Sequence, residues 1–381
     1  MDFEYFAAPA VLSLISIVIG WLSVRHLRTL PARFSSRAIR AFDRIVLFAM
    51  IVGSTALAVS AGFNAVTLLR FREFSKPPGN IYLVNGHRMH MDCVGSGSPT
   101  IVLDAGLGSD ALVWGAVQPQ LAKTTHVCSY DRAGFGWSDE APGPRDADHI
   151  AAELHQLLDE AKVSGPIVLM GHSIAGMYIR DYAAHYPRDV AGLIFVDGST
   201  PLQDEDPALQ AAGETGLAQK TSILVMRTAA MTGISRLMGG CAKPLPGFDA
   251  EAGQLLSEDL CHPKYAAIEQ ELASFNESGR ETIHTGPFGA LPVLIFSQDP
   301  TRTTSVRFIS REMVDMEIAW GRMQEDMKKL STRSRRIIAR GSGHAVQIDR
   351  ADLIQKEVPV FLDQIRGSAP ETVKYGSTVT E

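Results

Sequence analysis

The chain has 381 residues, 45% of them hydrophobic and 20% charged, and a formal net charge of −6. That charge is uneven, +5 over residues 1–76 and −11 over the remainder. An acidic main body argues against a nucleic-acid partner. Four cysteines without a C-x-x-C spacing argue against a zinc site or a thioredoxin-type motif.

Two uncharged runs open the chain, at 5–24 and 45–69. Each is long enough to cross a hydrocarbon core that needs about 20 residues. The start is acidic (Asp2, Glu4) and no A-x-A-like cleavage site follows, so the first run reads as a span rather than a signal peptide. Arg25, Arg28, Arg33, Arg37, Arg40 and Arg44 lie between the runs and mark that loop as cytoplasmic. Arg70, Arg72 and Lys76 oppose this rule, but the balance favours both ends of the hairpin on the other side. Residues 1–76 are thus expected to be a membrane anchor with two transmembrane helices, followed by an extracytoplasmic domain. Residues 73–80 read as a linker.

Beyond it, apolar runs at 81–84 and 87–94 flank Asn85-Gly86, a two-residue hairpin signal. Strands are expected at 100–105, 126–130, 167–170, 192–196, 293–297 and 336–340. Helices are expected at 112–122, 147–161, 310–330 and 351–365. Residues 200–288 form an insertion of helices and polar loops, and the polar tail 367–381 is expected to be disordered. Strands alternating with helices after an opening hairpin predict a mostly parallel sheet covered on both faces.

The most informative stretch is 167–176, IVLMGHSIAG. An apolar strand turns sharply into a helix through Ser173, as in a nucleophile elbow. Gly171 and Ala175 flank the serine where strand and helix nearly touch. The usual pattern is G-x-S-x-G, and Ala175 departs from its last glycine; Gly176 follows. Three other loops lie at strand ends: Ala105-Gly106-Leu107-Gly108, the segment 130–139 (YDRAGFGWSD), and Gly341-Ser342-Gly343-His344.

Taken together with the Asn85-Gly86 hairpin and the elbow, these segments resemble the α/β-hydrolase fold family over about 81–366. The resemblance implies a core formed by 77–199 and 289–366, with a cap or lid at 200–288 before the penultimate strand. It implies Ser173 as nucleophile and His344 as its base. The serine speaks against epoxide hydrolases and dehalogenases, which use aspartate there. The acid is open between Asp299, after the strand before the last, and Asp197, after the strand before the cap; Asp299 is favoured. The backbone N–H groups of Leu107 and Ile174 are the expected oxyanion donors. Many members carry His-Gly where this chain has Ala105-Gly106, a departure that leaves the backbone groups in place.

His172, beside the nucleophile, reads as packing support. Asp131 and Arg132 read as a structural ion pair or a hydrogen-bonded turn, and Asp104 either faces the site or supports the loop. The implied activity is ester hydrolysis through an acyl-enzyme, on a small-molecule or lipid ester, without metal or cofactor. Alternatives on the same triad are cofactor-free haloperoxidase or perhydrolase chemistry, acyl transfer and carbon–carbon hydrolysis; a non-catalytic binding protein is a further one. Cys241 and Cys261 are candidates for a disulfide if the domain is extracytoplasmic, whereas Cys93 and Cys128, in strands, are expected to be buried thiols.

Overall fold

The computed structural model describes residues 8–29, 37–74, 76–163, 165–204, 206–209, 216–241, 243–246, 248, 250–261, 265–304, 310–368 and 374–381. They group into two compact units, one from 1–76, 220–243 and 257–265, the other from 77–219, 244–256 and 266–381. The insertion at 200–288 is divided between them: 220–243 and 257–265 fall in the unit with the N-terminal helices, and the rest falls in the other.

The larger unit is built on a nine-stranded sheet among the described residues, ordered β1-β2-β4-β3-β5-β6-β7-β8-β9. In chain order these are Asn80–Val84, His87–Val94, Thr100–Asp104, Val127–Tyr130, Ile167–His172, Val190–Val196, Val293–Ser297, Ser334–Ile338 and Thr378–Thr380. β1 and β2 pair antiparallel, as do β2 and β4; every later pairing is parallel. Asn85 and Gly86 both take positive φ (49° and 84°), the conformation a two-residue hairpin of this twist needs. Strands β3 to β7 are buried along almost their whole length, as a sheet covered on both faces requires. One face packs residues such as Leu154, Leu157, Leu169, Ile179 and Phe195. The other packs Trp114, Met170, Phe296, Leu353 and Val358.

The structure departs from three expectations. Residues 112–122 do not make one helix: a 3₁₀ turn at Ala111–Trp114 is followed by Gln118–Leu121, with a proline at the start of the second piece. Pro119 offers no N–H to continue the first piece into the second. In the tail, 378–380 pair with β8 as the edge strand β9, and only 369–373 lie outside the described residues. Finally, Cys93 and Cys128 are not free thiols. They face each other directly across the antiparallel pair β2–β4, with Cα atoms 4.0 Å apart, and form a disulfide.

The smaller unit contains α1 (Ala8–Thr29) and α2 (Arg37–Phe74); residues 5–7 of the first apolar run lie outside the described residues. One stretch, Arg44–Leu68, is long and apolar enough to cross a membrane, and Ala10–His26 is a shorter apolar helix. The pair packs inside out. Small and polar groups meet between the helices: Ser16 and Ala61 are buried, Ser13 Oγ donates to the Ala58 carbonyl at 2.9 Å, and Gly20 lies against Ser54. Leu14, Ile17, Trp21, Phe48, Val59 and Phe63 point outward and are exposed. Cys241 and Cys261, in the same unit, form a disulfide with Cα atoms 6.1 Å apart.

Candidate active site

Strand β5 ends at His172, and α3, the helix Ala175–His185, starts two residues beyond Ser173. Between them Ser173 takes φ 55°, a left-handed conformation that costs a side chain about 1–3 kcal/mol. Backbone hydrogen bonds hold it there: its N–H donates to the Val196 carbonyl at 3.2 Å, and its own carbonyl accepts from Ser199 at 2.7 Å and Gly176 at 2.8 Å. The turn is crowded. A Cβ on Gly171 would lie 2.7 Å from the Ala175 carbonyl oxygen, and one on Gly176 would lie 2.7 Å from that of Ser199. Glycine is needed at both positions, whereas the Ala175 methyl is accommodated within a fully buried site.

The structure brings His344 to this serine. Its Nε2 lies 2.9 Å from Ser173 Oγ, and its Nδ1 lies 2.7 Å from Asp197 Oδ2. With Nδ1–H donating to the carboxylate, Nε2 is free to accept the serine proton. Asp197 is wholly buried at the end of β6. Its second oxygen accepts from the Gln298 amide and from the indole N–H of Trp320, both at 3.0 Å. Trp320 also sets its ring edge-on to His344, with centroids 5.6 Å apart.

Asp299 does not reach the histidine, contrary to the expectation that favoured it. One oxygen accepts from the amide and hydroxyl of Thr301 at 2.9 and 2.6 Å, and the other from the Gly341 amide at 2.8 Å. Its own N–H donates to the Ser342 carbonyl at 3.0 Å. Burial disfavours its charge, but these donors outweigh burial and hold the carboxyl below its ordinary pKa. Asp299 shapes the loop that carries His344, while β6 sits beside β5 and so brings Asp197 nearer the elbow.

The loop after β3 passes beside the nucleophile: a Cβ on Gly106 would lie 3.3 Å from Ser173 Cβ. Arg132 fixes this loop. Its guanidinium donates to the carbonyls of Ala105 (2.5 Å) and Gly106 (3.0 Å), to Asp104 (2.6 Å) and to both oxygens of Glu271 (2.7 and 3.0 Å). Asp131 turns elsewhere, to His90 and the amides of Ala111 and Trp137: of the two expected arrangements the ion pair with Arg132 is not formed and the hydrogen-bonded turn is. Burial opposes the Arg132 charge, but Glu271 and Asp104 overcome it and raise its pKa well above the ordinary value. A trans peptide sets C=O and N–H in opposite directions. Holding the Gly106 carbonyl therefore turns the Leu107 N–H away from Arg132. Among the described residues, neither Leu107 N–H nor Ile174 N–H donates to a protein acceptor.

His172 does more than fill space. Its Nε2 lies 3.1 Å from the His344 carbonyl, and its ring lies 4.8 Å from that of His344. Burial, aided by His344, pushes its pKa down to about 3. It is thus a neutral donor that holds the His344 loop. Neither Trp320 nor this His172 contact has a local sequence signal.

Two groups of metal-ligating side chains occur among the described residues. Cys93, His126 and Cys128 form one, but both sulfurs are joined to each other. Asp148, Asp181 and His185 form the other, in which His185 is paired with both carboxylates. Neither group includes Ser173 or His344.

Residues 101–356 match a family model described as the alpha/beta hydrolase family. An AB hydrolase superfamily protein of Gibberella zeae is 24% identical over 294 residues, covering 70% of this chain and 87% of that one. Two other curated relatives, 39% and 31% identical over 108 and 153 residues, are matched over only 16% and 29% of their own length. Among solved structures, a thermophilic esterase from Thermogutta terrifontis has a TM-score of 0.53 at 17% identity, covering 75% of this chain and 98% of that one. A bacterial membrane phospholipase A has a TM-score of 0.53 at 20% identity, covering 86% and 99%. At these identities the structural likeness concerns the fold.

Proposed function

Since the chain belongs to the alpha/beta hydrolase family, we propose that it is a membrane-anchored serine hydrolase that cleaves carboxylic esters. The observation that carries this reading is the hydrogen-bonded line Ser173–His344–Asp197, with contacts of 2.9 and 2.7 Å. In this reading His344 takes the Ser173 proton as Oγ attacks the ester carbonyl. Asp197 stabilises the imidazolium that forms. The Leu107 and Ile174 amides receive the oxyanion, and the loss of the alcohol leaves an acyl-enzyme. His344 then activates water to release the acid.

The anchoring half of the reading rests on the inside-out hairpin. Large apolar residues outside and small ones between is the arrangement of helices packed in lipid. The arginine-rich loop and two disulfides support an extracytoplasmic domain.

The test is hydrolysis of esters graded by acyl-chain length, by wild type and Ser173→Ala, with water, peroxide and alcohols offered as acceptors. Ester cleavage to free acid that disappears in Ser173→Ala is expected. Product formed only with peroxide or alcohol would replace hydrolysis by one of the other chemistries of the triad.

A further inference from the structure

Within the smaller unit, the second helix of the hairpin holds a piece of the insertion. Ser60 Oγ donates to the Thr232 carbonyl at 2.5 Å, and Asn64 Nδ2 donates to that of Ala230 at 2.8 Å. These carbonyls end the helix Gly216–Thr232, whose last C=O groups lack helical partners. Gly233 follows with φ 72°, and a Cβ there would lie 2.7 Å from Asn64 Cβ and 3.0 Å from the Ser60 carbonyl. The backbone of the turn therefore lies directly against α2. Arg236, 3.4 Å from Asn64 Oδ1, is neutralised by Glu258 at 2.6 Å.

Ser60 and Asn64 lie inside the apolar stretch Arg44–Leu68. They precede its end by roughly 12 and 6 Å of helix, at 1.5 Å per residue. An interfacial helix buries its apolar face about 5–10 Å into the headgroup–acyl boundary, a range that takes in Asn64 and ends just short of Ser60. The docked segment carries such a face. Leu224 and Val225 are exposed together with Thr221 and Thr228 on one side of the helix. Just past Gly233, Ile234, Leu237 and Met238 are exposed too, Met238 by 82%.

We propose that residues 221–238 are seated in the headgroup–acyl boundary of the leaflet where the span Arg44–Leu68 ends, with Leu224, Val225, Ile234, Leu237 and Met238 against lipid. This rests on the reading of the hairpin as membrane-spanning. The hydrogen bonds to Ser60 and Asn64 set the depth, and the exposed apolar face fits the solvent found at that depth.

All four cysteines are in disulfides, so an added cysteine can be labelled alone. The full chain carrying Met238→Cys, Leu224→Cys or Val59→Cys is labelled with an environment-sensitive dye and reconstituted into phosphatidylcholine vesicles with or without lipids spin-labelled near the headgroup. Strong quenching of the dye at 224 and 238, with blue-shifted emission, is the expected result. Quenching at Val59 without quenching at 224 and 238 would overturn the seat of the segment while leaving the anchor intact. Absence of quenching at all three positions would overturn both.

Discussion

Asp197 and Asp299 end neighbouring strands, β6 and β7, and both are buried and fully hydrogen-bonded. One touches the histidine; the other touches the loop that carries it. The Asp197 carboxylate takes two donors on one oxygen and leaves the other for His344. The Asp299 carboxylate spends both oxygens on Thr301 and Gly341. A carboxylate at a strand end is assigned by the donors around it. Position after a particular strand is not enough.

The largest expected effect comes from breaking the first arrangement. Asp197→Asn keeps the shape but places an amide against His344 and misorients the ring, a change that costs about 10⁴ in turnover where a triad acid is lost. Ester turnover by folded variant checks this. Asp299→Asn replaces one acceptor oxygen by a donor facing the Thr301 or Gly341 amide. An unmade buried hydrogen bond costs about 1–3 kcal/mol, so thermal or denaturant unfolding should show a loss of that size. Turnover per folded molecule should fall far less than in Asp197→Asn.

A third effect separates support of His344 from chemistry. The His172 pKa is about 3 in the folded chain against an ordinary 6.5. The unfolded chain therefore takes up the proton first. Stability held by neutral His172 is complete above about pH 6.5 and is lost as pH falls toward 3. Between pH 7 and 5 this group should cost about 2 kcal/mol. Denaturant unfolding of His172→Gln should show a pH slope shallower than wild type by that amount; parallel slopes would mean that the histidine is not held neutral. The smallest effect belongs to Trp320→Phe, which removes one of two donors from Asp197 Oδ1. A hydrogen bond worth roughly 1 kcal/mol corresponds to about a fivefold fall in turnover, read from kcat on a soluble ester.

The elbow was legible because its residues are local: Gly171, Ser173 and Gly176 answer to one tight turn. The Asn85-Gly86 hairpin was legible for the same reason. What escaped depends on pairings across the sheet or between distant segments. The choice of Asp197 over Asp299 turns on contacts to His344 and Trp320 across 147 and 123 residues, and no local pattern reports them. Arg132 has Asp131 as its nearest acid in sequence, but its partners are Asp104 and Glu271, the latter in the insertion. Cys93 and Cys128 meet only through the register of β2 on β4. The apolar runs at the N-terminus signalled their helices, but not that Ser60 and Asn64 would hold the end of another helix.

In the proposed mechanism Ser173 is made nucleophilic by a His344 held by Asp197. It is tested most directly by the rate at which a fluorophosphonate adds covalently to Ser173, followed by intact mass in wild type, Asp197→Asn and Asp299→Asn of matched melting temperature. The expected rate collapses in Asp197→Asn and stays near wild type in Asp299→Asn, with no adduct in Ser173→Ala. Collapse in Asp299→Asn with labelling preserved in Asp197→Asn would contradict it.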